Sequence, residues 1–194
     1  MLNPNKYEVI AQALEHLMRG KSESASACIT TYYPFIPRKN HKRSWTQYRA
    51  LSIFYRDGFI DRYTGDRLVY PGALRVLSLM IPDDFPAHPN WKMSETHMAY
   101  WELFPTLDHI QPIGRGGEDT NENIVTTSML RNQAKSNWTL DELGWKLHSA
   151  GNTNDWDGLL LTTTNMVEAS QELLNDNYLH QWHIAAKRII SENK

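Results

Sequence analysis

Residues 106–137, TLDHIQPIGRGGEDTNENIVTTSMLRNQAKSN, contain the pattern that decides the fold. Residues 106–110 and 124–127 are strand-like, and the second stretch is rich in β-branched side chains. Proline and glycine residues between the two stretches predict a loop. Ser128 is a natural N-cap for a helix over the residues that follow it. The segment is therefore predicted to run strand, long loop, strand, helix.

Polar side chains in this segment suggest hydrolytic chemistry. Asp108 and His109 are adjacent, so a carboxylate and an imidazole project to opposite faces of one strand or fan apart at its end. Asn132 follows on the predicted helix, and a carboxylate with an amide oxygen suits a hard cation such as Mg²⁺ that keeps several waters. A neutral histidine nearby can take a proton from water. Asn123, which opens the second strand, is a candidate to hydrogen-bond the imidazole and fix its tautomer.

Four short elements follow one another in this segment: DHIQP at 108–112, GG at 116–117, NIV at 123–125 and NQAK at 132–135. Together they resemble the ββα-metal motif of HNH endonucleases, written roughly D-H-[IV]-x-P, G-G, N-[LIV]-V and N-x-x-K. A lone Asp-His pair would carry no weight. Four elements in order within about 28 residues are a specific signal. The alternative is a polar pair in a hairpin with glycines that only make a turn.

The resemblance implies an α+β, helix-rich protein around a ββα-metal (HNH, or His-Me finger) core. It further implies an enzyme that hydrolyses phosphodiester bonds of DNA, with duplex DNA as the expected substrate. His109 would be the general base that activates water, and Asn123 would orient it. Asp108 and Asn132 would bind one divalent metal ion, Mg²⁺ in the first instance and Mn²⁺ as the alternative.

Basic residues are the predicted substrate contacts. Arg115 lies in the glycine loop, where the backbone can approach a duplex closely, and an exposed loop charge is its equal alternative. Lys135 lies one helical turn beyond Asn132 and is expected to contact a phosphate or to support a neighbouring ligand, with a merely solvated side chain as the alternative. The basic run at 38–43 is a further candidate for phosphate contact, with a solvated loop as the alternative.

The similarity extends upstream and shows a departure there. Family members often read R-D-G-F-x-C-x-Y-C-G, whereas this chain has RDGFIDRYTG at 56–65, with Asp61 and Thr64 at the cysteine positions. Downstream, SMLRN at 128–132 stands where the family has C-x-x-C-N. All four thiolates of the family's zinc knuckle are missing. We therefore expect no structural zinc.

We expect polar contacts in place of that zinc. Asp61 and Arg131 occupy positions that would converge on one ion, so they are predicted to form a salt bridge. Thr64 and Ser128 are predicted to hydrogen-bond each other at the same spot. Such pairing avoids an isolated buried charge. The alternative is that these are unrelated polar residues on the surface.

Composition limits the class of protein. With 194 residues, 41% hydrophobic and 22% charged, the chain has the make-up of an ordinary globular protein, which excludes disorder and fibrous repeats. Its single cysteine excludes an internal disulfide framework and a cysteine-rich zinc site. No signal peptide is visible, and no apolar run approaches the ~18 residues of a spanning helix. We expect a soluble, cytoplasmic protein without a membrane partner.

Charge and pattern vary along the chain. We expect an N-terminal helical region at 1–52, the nuclease core at 53–137 and a C-terminal helical region at 138–194, all in one compact unit. The formal charge is −2, but residues 38–75 carry nine basic side chains against three acidic ones, and residues 137–180 carry one against seven. Such asymmetry favours one face for a polyanion, with two ordinary solvated surfaces as the alternative.

Other functions stay open at this point. A catalytically silent nucleic-acid-binding module with the same fold is one, and a nuclease that acts on RNA is another. The intact set of Asp108, His109, Asn123 and Asn132 favours an active enzyme over the silent module. A role in restriction, defence or mobile-element biology is implied by the resemblance alone. A symmetric homodimer with two active sites would be one route to cutting both strands.

Overall fold

The chain divides into two compact units, Met1–Lys42 and Arg43–Lys194. The computed structural model describes residues 4–36 and 45–193. These unit bounds differ from the predicted regions, because the predicted boundary at residue 52 falls inside the second unit. The basic run proposed for phosphate contact lies outside the described residues. No helix within the described ranges is long and apolar enough to cross a membrane.

The first unit contains two helices, α1 (Lys6–Met18) and α2 (Ser22–Tyr32). Gly20 lies between them with φ of 70°, a left-handed conformation that glycine adopts without strain. The buried apolar side chains of this unit are few and mostly small: Val9, Ala13, Ala25 and Cys28. The two helices therefore meet through a small core.

The second unit holds the remaining helices: α3 (Gln47–Arg56), α4 (Pro71–Met80), α5 (Ala99–Glu102), α6 (Met129–Lys135), α7 (Leu140–Leu143), α8 (Leu160–Ala169) and α9 (Asn177–Glu192). α9 packs against α3, α4 and α8. Its Trp182 stacks on Phe54 of α3 with ring centroids 6.3 Å apart, and Tyr70 meets the same indole edge-on. The main apolar core of this unit lies at that junction.

Two antiparallel strands, β1 (Pro105–His109) and β2 (Ile124–Ser128), form the sheet. Their register pairs Asp108 with Val125 and His109 with Ile124. α6 begins directly after β2 and packs against both strands. The predicted α+β class is confirmed, and the strand, loop, strand and helix predicted for this segment lie within a residue or two of their expected positions.

Candidate active site

The last two side chains of β1 face different neighbours. Asp108 points toward α6, where Lys135 Nζ lies 2.8 Å from its Oδ2 and the Tyr63 hydroxyl donates to the same oxygen at 2.7 Å. His109 Nε2 lies 2.9 Å from Asp119 Oδ1 on the other side. Both Asp108 and His109 are buried. Consecutive strand residues alternate between faces, so this separation follows from the local structure, as predicted.

Lys135 is fully buried, with 0% of its surface exposed. Besides its ion pair with Asp108, its Nζ donates to the His109 carbonyl at 2.7 Å and lies 5.7 Å from the Tyr63 ring centroid. The predicted phosphate contact is therefore not made by this residue, because a buried ammonium does not reach a substrate. The alternative prediction, that Lys135 supports a neighbouring ligand, agrees with its placement.

Tyr63 completes the surroundings of Asp108. Burial raises the pKa of the Tyr63 hydroxyl well above its ordinary value, and the charge of Asp108 raises it further. The phenol therefore stays protonated and remains a hydrogen-bond donor. The four-element motif at 108–135 does not include Tyr63 and so did not indicate this role. Tyr63 lies in the stretch at 56–65 that resembles a zinc knuckle.

Asn132 ties α6 to β1. Its Nδ2 donates to Thr106 Oγ1 at 3.0 Å and to the Leu107 carbonyl at 3.2 Å. Both bonds use the amide nitrogen, and no donor within residues 4–36 or 45–193 bonds its Oδ1. Asn132 lies three residues before Lys135, so the two side chains share one face of the helix.

The oxygens available to a cation are those of Asp108 and Asn132. Asp108 Oδ2 is shared by a tyrosine and a lysine, whereas among the described residues its Oδ1 has no hydrogen-bond donor. A carboxylate and an amide oxygen are hard ligands, and a site with two protein ligands suits a cation such as Mg²⁺ that keeps several waters. The donor set therefore fits the metal that the sequence predicts. No larger cluster of His, Cys, Asp or Glu is present in the described parts of the chain.

Asn123 braces the loop between the strands. Its Oδ1 accepts from the Gln111 backbone N–H at 2.8 Å, and its Nδ2 donates to the carbonyls of Gln111 and Glu118 at 3.0 and 2.8 Å. A Cβ on Gly117 would lie 1.9 Å from the Gln111 carbonyl oxygen, so the loop closes only with glycine there. The predicted hydrogen bond from Asn123 to the His109 imidazole is not formed, because both ends of the amide are engaged with this loop.

Asp119 is the partner of His109 instead, and sequence reasoning missed it. A carboxylate oxygen accepts hydrogen bonds, so the neutral imidazole tautomer that fits this contact is the one with its proton on Nε2 and its lone pair on Nδ1. Arg49 Nη2 lies 3.9 Å from Asp119 Oδ1, and its guanidinium lies 4.3 Å from the Trp45 ring centroid. Trp45 in turn has its ring 6.0 Å from that of His109. No motif spacing pointed to Asp119, because the loop conformation decides its position.

The Arg115 side chain is engaged in contacts within the protein. Its guanidinium pairs with Glu142, and its Nε donates to the Asn137 carbonyl at 3.2 Å. Hydrogen bonds from the Thr139 backbone and from Arg115 lower the pKa of Glu142 to about 2, so that carboxylate is ionised at neutral pH. The predicted phosphate contact by Arg115 would require this pair to open.

Asp61 is a buried carboxylate that accepts hydrogen bonds from several parts of the chain. Its Oδ1 accepts from the Tyr63 backbone N–H at 2.9 Å and from Thr127 Oγ1 at 3.0 Å, and its Oδ2 accepts from the Ser128 N–H at 2.9 Å. The residue is only 2% exposed. One carboxylate therefore joins the turn at 61–63 to the end of β2 and the start of α6.

The contacts that we predicted for this position are wrong in detail. Asp61 has no ion pair with Arg131 among the described residues, and the Arg131 guanidinium instead lies 5.0 Å from the Trp145 ring centroid. Thr64 and Ser128 do not bond each other. Each accepts from a backbone N–H two or three residues further along the chain.

A second buried carboxylate, Asp57, also accepts a hydrogen bond from a backbone N–H of β2, two residues before Ser128. Its Oδ2 accepts from the Thr126 N–H at 2.8 Å, and its Oδ1 accepts from Arg62 Nη1 at 2.9 Å and from Arg56 Nε at 2.9 Å. The N–H groups bonded by the two carboxylates are two residues apart, so they point to one edge of β2. β1 pairs with the other edge. The carboxylates thus hold β2, the strand that pairs with the site-bearing β1, from its outer side.

No protein-family model, curated protein or solved structure gave a significant match to this chain. What the site can do follows from its own residues. Within one strand–strand–helix segment, a buried imidazole contacts a carboxylate partner on one side of β1, and the Asp108 carboxylate on the other side faces α6, which carries Asn132.

Proposed function

We propose that this protein is a metal-dependent endonuclease of the HNH type that hydrolyses phosphodiester bonds of duplex DNA in the cytoplasm. The observation that carries the proposal is the junction of β1 and α6. Asp108 and His109 end the strand, and Asn132 is hydrogen-bonded to the same strand from the helix. Hydrolysis of a phosphodiester needs a base for water and positive charge at the phosphate. The imidazole supplies the base, and a cation held by the carboxylate and amide oxygens would supply the charge.

His109 is the general base in this proposal. Its Nε2 proton is held by Asp119, so Nδ1 has the lone pair that takes a proton from water. The imidazolium that results is stabilised by the same carboxylate, which is the role of the aspartate in other imidazole bases. Trp45 and the strand around His109 limit its orientations.

Asp108 and Asn132 would hold one divalent cation, Mg²⁺ or Mn²⁺. Bound there, the cation would neutralise charge on the scissile phosphate. Lys135 holds the Asp108 carboxylate in place, and Asn123 holds the loop that carries Asp119. No structural zinc is part of this proposal, because Asp61 makes the joining contacts of the knuckle.

A silent nucleic-acid-binding module is the second candidate, and one observation favours it. Lys135 already forms an ion pair with Asp108. A cation at this site has to share its carboxylate with a buried ammonium. Binding of DNA without cleavage in any metal would agree with this candidate and not with the enzyme.

The test compares cleavage and binding in one set of proteins. Wild type, His109→Ala and His180→Ala are incubated with supercoiled plasmid and with labelled RNA in Mg²⁺, Mn²⁺ or EDTA. His180 is an exposed histidine of α9, so its variant is the matched control. We expect metal-dependent plasmid nicking by wild type and by His180→Ala alone.

Other outcomes separate the alternatives. Cleavage confined to RNA would assign the chain to RNA hydrolysis. Plasmid binding in a shift assay, without cleavage in either metal, would favour the silent module. Equal cleavage by wild type and His109→Ala would reject His109 as the base.

A further inference from the structure

The N-terminal hairpin exposes an apolar surface along α1, here called the α1 stripe. It consists of Tyr7, Ile10, Leu14, Leu17 and Met18, which are 44% to 87% exposed. At helical spacing these side chains fall within about 100° of the helix circumference. Val9 and Ala13, the buried residues of α1, lie beside the stripe. The apolar side of α1 is therefore wider than the part that α2 covers.

Contacts within the hairpin show which side of α1 faces α2. The Cys28 thiol of α2 lies 3.7 Å from the Val9 carbonyl oxygen and 3.8 Å from Gln12 Oε1. Lys6 Nζ at the start of α1 lies 5.7 Å from the ring centroid of Tyr33, just after α2. The helices are thus antiparallel, and the stripe runs along the flank of α1 next to this contact.

This unit has little to stabilise it as a lone hairpin. Domains of about 40 residues usually need disulfides, metals or association to be stable. Cys28 is a free thiol, and the described residues include no group of three metal-ligating side chains. The α1 stripe offers on the order of 600 Å² of side-chain surface, at the upper limit for the largest apolar patch of a monomer.

The properties of the stripe indicate its occupant. Residues 4–36 carry three basic side chains and three acidic ones, so the two helices themselves have no net charge, and the further basic side chains of this unit, Arg38, Lys39 and Lys42, come after them in the chain. A neutral, apolar surface pairs with a second copy of itself without net repulsion. A standard interface buries about 800 Å² per partner, so the stripe alone would supply most of one partner's share.

We propose that the α1 stripe is a homodimer interface, in which the hairpins of two copies pack about a two-fold axis as four helices. In such an interface each stripe faces its counterpart, and Leu14 lies near the middle. The shared core then contains the large apolar side chains that the single hairpin lacks. This proposal stands independently of the enzymatic activity.

The test measures the mass of the full chain by sedimentation velocity from 1 to 100 µM (an order-of-magnitude range for weak to moderate dimers). We expect wild type to reach twice the 22.5 kDa of one chain. Leu14→Glu places a charge in the stripe and should abolish the dimer. Ala27→Glu adds the same charge to an exposed position of α2, opposite Ala25 and Cys28, and should leave the dimer intact.

A milder variant covers the case in which Leu14→Glu unfolds the hairpin. Leu14→Ala keeps a strong helix former and should raise the dissociation constant at least tenfold, with unchanged helical circular dichroism. A monomeric wild type at 100 µM would overturn the proposal. A dimer that survives Leu14→Glu, or that is lost equally in Ala27→Glu, would overturn it as well.

Discussion

The imidazole of His109 depends on a carboxylate that lies ten residues away in the connecting loop. Asp119→Asn replaces that acceptor with an amide and removes its charge. We expect DNA cleavage to fall by about 10- to 100-fold, as for other partners that orient a reacting group, with DNA binding unchanged. Glu118→Gln is the control, because Glu118 is exposed and bonds the site through its backbone alone. Equal cleavage by both variants would contradict the assignment.

Lys135 and Asp108 form a buried ion pair whose members depend on each other. Lys135→Met leaves the Asp108 carboxylate buried without its cation, so we expect a loss of about 3–5 kcal/mol in the free energy of unfolding. Urea denaturation measures it. Lys187→Met removes an exposed ion pair with Glu168 and should cost under about 1 kcal/mol. Similar losses in the two variants would contradict the account.

Sequence predicted part of this site and missed part of it. The opposite orientation of Asp108 and His109 follows from strand alternation, which is a local property. The hydrogen-bond partners of His109 and Asn123 do not follow from local structure. These partners lie in a loop of about a dozen residues whose path depends on long-range contacts. The burial of Lys135 could not be predicted either, because the sequence of α6 has no apolar pattern that would indicate a core position at this residue.

At the level of elements, the two strands and α6 could be read from β-branched residues, glycines and the Ser128 cap. The hydrogen bonds from β2 to Asp57 and Asp61 could not be predicted, although the resemblance singled out the position of Asp61. A salt bridge to Arg131 was expected from charge, whereas backbone N–H groups of β2 were the nearer partners. Unpaired N–H groups along a strand edge compete well for a buried carboxylate.

Asp61→Ala tests the hydrogen bonds of Asp61. The substitution leaves the N–H groups of Tyr63 and Ser128 unpaired in a buried place, so we expect about 3 kcal/mol of lost stability in urea denaturation. Asp66→Ala, at an exposed position of the same turn, should change stability by less than about 0.5 kcal/mol. A zinc chelator should leave the wild-type midpoint unchanged. A lower midpoint with chelator would show that a metal, and not the carboxylate, joins these elements.

α4 and α9 are joined by a charge pair that gives stability a pH dependence. The Arg75 guanidinium bonds Asp176 and holds the pKa of that carboxyl below its ordinary value. A depressed folded-state pKa stabilises the protein above the ordinary value of about 3.9, and this contribution is lost as pH falls through the folded value. The stability difference between wild type and Arg75→Met should thus be large at pH 7 and shrink below about pH 4. A constant difference over that range would contradict the linkage.

At the scale of the whole molecule, the basic side chains of residues 38–75 that lie in the described part of the chain are engaged internally. Every described arginine of that segment has a partner within the chain: Arg49 with Asp119 and Trp45, Arg56 and Arg62 with Asp57, Arg67 with Trp156, and Arg75 with Asp176. Charge counted along a sequence does not distinguish such pairs from a free basic face. Contact with DNA phosphates by these arginines would compete with the pairs.

The measurement that tests the central claim most directly is the rate of plasmid nicking by His109→Gly at saturating Mg²⁺, with and without added imidazole. We expect a loss of about 10²- to 10⁴-fold relative to wild type, the usual contribution of a general base, with partial recovery in imidazole. Unchanged circular dichroism would show that the fold is intact. Nicking by His109→Gly at the wild-type rate, or in EDTA, would contradict a metal-dependent centre at the end of β1.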